Sequence, residues 1–182
     1  MTIGAIVLGL AVTVGAVAKE LHTADYIVSV VAGGLPMLVL PALLTLLCMG
    51  IAFATGTSWG TYAVVMPLAL PLAWTLVPDP TFLKICFGAV IGGAAFGDQC
   101  SPISDTTILS SLASQCDHID HVRTQLTYAL TVGAVALLLG TLPTGYNVPW
   151  WVMMPICAAV LFAVVRFVGQ PVDDPEAVST PA

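Results

Sequence analysis

Charge is what this sequence has least of. Its 182 residues include four lysines and arginines and ten acids, a charged fraction of 8% where soluble domains average roughly 25%. Residues 26–78 carry no charge, and neither do residues 124–165. The apolar fraction is correspondingly high, at 58%. A soluble domain of this length keeps about a third of its unfolded surface wet, and too few polar side chains exist here to cover it. Most of the chain must therefore be solvated by lipid. Each uncharged stretch allows two crossings, since one crossing takes about 20 apolar residues. The net charge of -6 says little about partners, since three of the acids, Asp173, Asp174 and Glu176, sit in the tail; no nucleic-acid partner is expected.

Paired cysteines are missing too. Cys48, Cys86, Cys100, Cys116 and Cys157 form no CxxC pair, and three lie in apolar runs where cysteine packs as a small hydrophobe. Neither a disulfide framework nor a zinc site is expected. No catalytic constellation or resident cofactor is read, so an enzyme is not expected. The first eighteen residues lack a basic n-region, which argues against a cleaved signal peptide.

What remains is a series of apolar segments separated by short polar ones. Residues 3–18 form a first, short segment, followed by a polar patch at Lys19, Glu20, His22 and Asp25 and a weak stretch at 26–33. Spans are expected at about 35–54, 62–77, 82–97, 124–142 and 149–166, with a helix too short to cross at 105–115. Glycines at 88, 92, 93 and 97 suit close helix packing within lipid. Residues 1–170 read as one all-α, polytopic membrane helix bundle, and 171–182 as a disordered acidic tail. Arg123 and Arg166 lie on one side of the last hairpin, which the positive-inside rule makes cytoplasmic together with the C-terminus.

Two polar breaks interrupt the apolar runs, at 55–61 and 97–105. Non-helical backbone at membrane depth survives only when buried in protein or lining a watery cavity. The second break holds Asp98 and Asp105 among Gln99, Ser101, Ser104, Thr106 and Thr107. An acid near the bilayer centre costs about 2.5–3.5 kcal/mol on insertion scales, so its presence asks for a function. Carboxylate, hydroxyl and carbonyl oxygens suit a hard cation such as Na⁺. Low dielectric favours the neutral carboxyl, so one aspartate can hold Na⁺ or H⁺ in turn. Asp105 is favoured as ion ligand and Asp98 as proton carrier. Ser101-Pro102 and Ser104-Asp105 both read as helix starts, as in the discontinuous helices of secondary transporters. The bland alternative is a surface turn at Asp98 with Asp105 as a plain cap, and Thr57, Ser58 and Thr61 bonding back to their own helix. The Asp117–His121 run, in a short loop beside Arg123, reads as solvated surface or helix capping rather than a metal site.

The segments FATGTSWGTYAVVMPLALPLA at 53–73, FGDQCSPISDTTILSS at 96–111 and CDHIDHVRTQLTYAL at 116–130 resemble the NhaC-type Na⁺/H⁺ antiporter family. The resemblance runs from about residue 5 to the last span. It implies exchange of Na⁺ for H⁺ across the plasma membrane, and in some relatives coupling to organic anions such as malate and lactate. It also implies an inverted-repeat fold with re-entrant hairpins and unwound helices. The residues carried over to the ion site are Thr57, Ser58, Asp98, Ser101, Ser104, Asp105 and Thr106, with Na⁺ at Asp105 and Asp98. Family members are longer, so the chain is expected to be their C-terminal portion, acting as a homo-oligomer or with a separate N-terminal half. Gln99 and Thr127 depart from the histidine and proline expected there. A Na⁺-coupled carrier of an organic anion or amino acid, and a truncated subunit that does not transport, are the competing readings.

Overall fold

The computed structural model describes residues 39–169, together with Thr13, Val17, Glu20, Leu21 and His22. The expected segment at 3–18, the weak stretch at 26–33 and the tail lie largely or wholly outside these residues. Among the described residues the elements are helical, in the order α1 (Leu40–Thr55), α2 (Ser58–Leu76), α3 (Pro80–Cys100), α4 (Asp105–Ser114), α5 (His118–Gly145) and α6 (Trp150–Val168). The helices α2, α3, α5 and α6 are long and apolar enough to cross a membrane. The polytopic helical bundle read from the sequence is the fold observed.

Each boundary has a local cause. Pro41 occupies the first turn of α1, where its missing donor has no intrahelical acceptor to lose. Asp79 caps α3 by accepting from the Phe82 amide at 3.0 Å, just ahead of Pro80. Gln115 ends α4 in the left-handed region. Asp117 then starts α5, its Oδ1 accepting from the amides of Ile119 at 2.8 Å and Asp120 at 3.1 Å. That cap makes His118–Arg123 helical, where the sequence suggested a loop. A π-helical turn at Ala136–Thr141 lies within α5, which runs on to Gly145.

The core lies among α1, α2 and α3. Leu44, Cys48 and Ala52 of α1 meet Cys86, Val90 and Ala94 of α3, while Val65, Ala69 and Ala73 of α2 close the third side. Gly93 and Gly97 make the α1–α3 contact possible. A methyl at Gly93 would strike the Thr45 backbone, and one at Gly97 the Met49 carbonyl and the Phe53 amide. Gly88 and Gly92 face open space instead, so only two of the four glycines serve this packing. By contrast α5 and α6 bury little, and Tyr128, Phe162, Val165 and Phe167 are exposed as a lipid-solvated surface requires.

Candidate functional site

The α1–α2 connection is only two residues long. Gly56 ends α1 with φ of 67° and donates its N–H to Ala52 O, and Thr57 caps α2 by accepting from the Gly60 amide at 3.3 Å. The α3–α4 connection comprises residues 101–104. Both breaks are shorter than the composition suggested, because α3 continues through Asp98, Gln99 and Cys100 and α2 begins at Ser58. Of the two helix starts read at Ser101-Pro102 and Ser104-Asp105, only the second is one.

The two breaks cross. A Cβ on Gly56 would stand 2.9 Å from Ile103 Cγ1 and 3.0 Å from the Ile103 carbonyl. Ser101 is fully buried, and its hydroxyl donates to the Phe53 carbonyl at 2.8 Å, closing an acceptor that the end of α1 leaves free. The amide of Ser101 returns to Asp98 O at 3.2 Å and that of Ser104 to Ser101 O at 3.3 Å. The Phe53 carbonyl is thus satisfied by the opposite break, and the amides of Ser101 and Ser104 within their own.

Asp98 sits at this crossing, half-buried on the last turn of α3. Its Oδ2 accepts from Ser58 Oγ at 3.0 Å and its Oδ1 from Ser104 Oγ at 2.6 Å. Thr106 Oγ1 lies 2.8 Å from Ser104 Oγ. Since the Ser104 proton goes to the carboxylate, Thr106 donates to Ser104, and the chain Thr106–Ser104–Asp98–Ser58 ends on an anion. Ser104 makes no side-chain cap to α4; its hydroxyl faces Asp98 and Thr106 instead. The N-termini of α2 and α4 both meet here, bringing positive dipole ends towards the carboxylate.

Of the residues singled out in the sequence, Ser58, Asp98, Ser104 and Thr106 come together, Ser101 braces the crossing and Thr57 caps α2. Asp105 stands apart. It is exposed, and its Oδ1 accepts from the Thr106 amide at 2.9 Å. Asp105 is the first residue of α4, one position after the N-cap Ser104, and Asp98 lies in the last turn of α3 rather than in a turn between helices. Thr61 does bond back to its own helix, at Thr57 O, 2.9 Å away. The donor set at Asp98 is oxygen throughout, which fits a hard monovalent cation.

Two contributors were not read from the sequence. His118 Nε2 lies 2.7 Å from the Pro102 carbonyl, an acceptor only, so that nitrogen carries a proton. Ser111 Oγ lies 3.0 Å from His118 Nδ1 and 2.8 Å from His121 Nδ1. Ser111 Oγ also donates to the Thr107 carbonyl at 2.9 Å, so its single proton is shared between that carbonyl and the two rings. His118 thereby ties α5 to the second break. Among the described residues no group of three or more His, Cys, Asp or Glu is placed to hold a metal ion. The second contributor is Gln125, which lines a cavity of about 470 Å³ with Gln99, Thr45 and Tyr128. Its Oε1 is buried without a hydrogen-bond partner among the described residues, a state costing about 1–3 kcal/mol that a water or hydrated ion would relieve. Replacing His118 by alanine is expected to speed amide exchange at Ile103 and Ser104 about fivefold, as losing one hydrogen bond predicts. Glutamine at 118 keeps a donor for Pro102 and should restore protection, which exchange mass spectrometry would read.

Comparison with known proteins decides the family. The Na⁺/H⁺ antiporter family profile matches residues 1–145. The chain belongs to that family. It is 46% identical over 135 residues to an uncharacterized protein of Haemophilus influenzae, covering 74% of this chain and 25% of that protein. It is 27% identical over 150 residues to the malate-2H⁺/Na⁺-lactate antiporter of Bacillus subtilis, covering 70% and 31%. The Na⁺/H⁺ antiporter NhaC of Alkalihalophilus pseudofirmus is 37% identical over 78 residues, covering 43% and 16%. The chain spans about a quarter to a third of the length of the first two relatives. No solved structure matches it. The family is one of antiporters, and the helices agree in making this an integral membrane protein.

Proposed function

We propose that this chain forms an ion-handling part of a Na⁺/H⁺ antiporter, with Asp98 binding Na⁺ and H⁺ in turn. The observation that carries the proposal is a carboxylate that accepts from two hydroxyls, one of them backed by a third, where two helix breaks cross. A proton on Asp98 removes the charge that attracts Na⁺, so the two ions exclude each other at one group. Ser58, Ser104 and Thr106 supply further oxygens, and Ser101 and Thr57 hold the backbone that presents them. Asp105 acts from outside the cluster, as a second charge at the N-terminus of α4. The remaining walls come from a second copy of this chain or from a separate N-terminal half. The location is the cytoplasmic membrane, with Arg123, Arg166 and the C-terminus on the cytoplasmic side.

The test is a Na⁺ jump outside proteoliposomes holding this chain and a trapped pH-sensitive dye. Inward Na⁺ drives protons out, so the lumen should become alkaline. A flat trace from folded protein would overturn antiport by this chain alone. The second reading, a Na⁺-coupled organic-anion carrier, is favoured by the likeness to a malate and lactate antiporter. In that case Na⁺ uptake would require lactate or malate on one side. The Asp98 cluster contains no cationic side chain to meet such an anion, so this reading ranks second.

A further inference from the structure

A second cavity, of about 740 Å³, opens between α3, α5 and α6, and the ion site makes no use of it. One end is polar, with Thr81, Lys84, Asn147 and Trp150 in its wall. The rest is apolar. On α6 the lining residues Trp150, Met153, Met154, Cys157 and Leu161 fall on one helical stripe. From Trp150 to Leu161 that stripe rises roughly 16 Å at about 1.5 Å per residue. On α5 the π-turn contributes Ala136 and Gly140, whose small side chains leave the trough wide. A methyl added at Gly88 or Gly140 would meet open space.

Lys84 is the one charged residue of α3 between its cap Asp79 and Asp98. Among the described residues its ammonium has no ion-pair or hydrogen-bond partner. Asp79 is engaged with the Phe82 amide. An unpaired cation one turn inside an apolar helix calls for an anion, and the stem of lysine reaches toward the interface to meet one. Trp150, at the first turn of α6, marks that end as the interfacial level. An apolar trough of acyl-chain length, ending at a cation and three hydrogen-bonding side chains at headgroup depth, has the shape and charge of one amphiphile.

We propose that this cavity is a binding site for an anionic phospholipid, its phosphate against Lys84 and one acyl chain along the Trp150–Leu161 stripe. The inference does not rest on the antiport reading. Native mass spectrometry tests it, with the chain released from nanodiscs of phosphatidylglycerol in a phosphatidylcholine background. Wild type should retain one phosphatidylglycerol in preference to phosphatidylcholine. Lys84→Gln should lower that preference about fivefold, the worth of one lysine beside an anionic headgroup. Gly88→Leu, which fills the trough and keeps the charge, should lose the lipid while the helical circular dichroism stays unchanged. Should wild type show no preference, or Lys84→Gln keep it in full, the proposal is wrong. Displacement of phosphatidylglycerol by equimolar palmitate would also overturn it, assigning the trough to free carboxylate amphiphiles.

Discussion

Asp98→Asn should abolish Na⁺ binding, whereas Asp105→Asn should leave most of it. Asparagine keeps the size of the side chain and one acceptor for Ser104 or Ser58, so the crossing of the two breaks survives. What it removes is the unit charge. At about 4 Å and an effective dielectric of about 20, that charge is worth about 4 kcal/mol to a bound cation, roughly a thousandfold in affinity. The amide also brings donors where Ser58 and Ser104 already donate, so one hydroxyl must turn away and the cluster loses a second oxygen's worth of order. Asp105 is exposed and spends one oxygen on the Thr106 amide. Its neutralisation removes a favourable charge at a helix N-terminus, worth about 0.3–1 kcal/mol, and touches no bond of the cluster. Equilibrium binding of radioactive Na⁺ to detergent-solubilised protein separates the two variants without requiring transport. Equal losses in both, or a larger loss in Asp105→Asn, would move the site away from the crossing.

The existence of the two breaks was legible because polar residues in lipid demand a structural reason, and hydroxyls, glycine and aspartate clustered nowhere else in the long apolar runs. Which aspartate turns inward was not legible. It depends on how far α3 continues: three more helical residues after Gly97 rotate Asp98 towards Ser58, forty positions earlier in the chain. A break starting at Gly97 would have left Asp98 in a loop. The Ser101 hydroxyl closing Phe53 and the His118 ring closing Pro102 are likewise tertiary acts, reaching 48 and 16 residues along the chain. Local pattern says that such groups need partners, and only the packed helices say which. The Asp117–His121 run illustrates the same limit from the other side. Its charges suggested solvated surface or helix capping, and Asp117 does cap a helix, but that both histidines turn onto Ser111 was not legible.

The glycines of α3 yield the second large effect, since their spacing was readable and their division of labour was not. Gly97→Ala should destabilise the protein strongly, and Gly88→Ala should not. On propensity alone both changes stabilise a helix, by about 0.8–1.0 kcal/mol each. At Gly88 nothing lies within 4 Å of the new methyl, so the propensity gain stands and the melting temperature should hold or rise slightly. At Gly97 the methyl meets the Met49 carbonyl, lies 2.7 Å from Ala52 Cβ and stands at the same distance from the Phe53 amide. Backbone cannot step aside as a flexible side chain can, so α1 and α3 must separate along their whole contact. Overpacking of this kind typically costs about 1–3 kcal/mol, and here it also lifts Ala52 and Ala94 out of a shared core. The damage reaches the ion site directly. Phe53 supplies the carbonyl that Ser101 closes, and Asp98 follows Gly97 in the chain. A shift of α1 by a few tenths of an ångström therefore stretches Ser101 from Phe53 and Ser58 from Asp98 together. Thermal unfolding of the purified variants, followed by helical circular dichroism, measures the first effect, and Na⁺ affinity the second. A Gly97→Ala protein that melted like wild type and bound Na⁺ as well would mean that the α1–α3 contact is looser than the structure draws it.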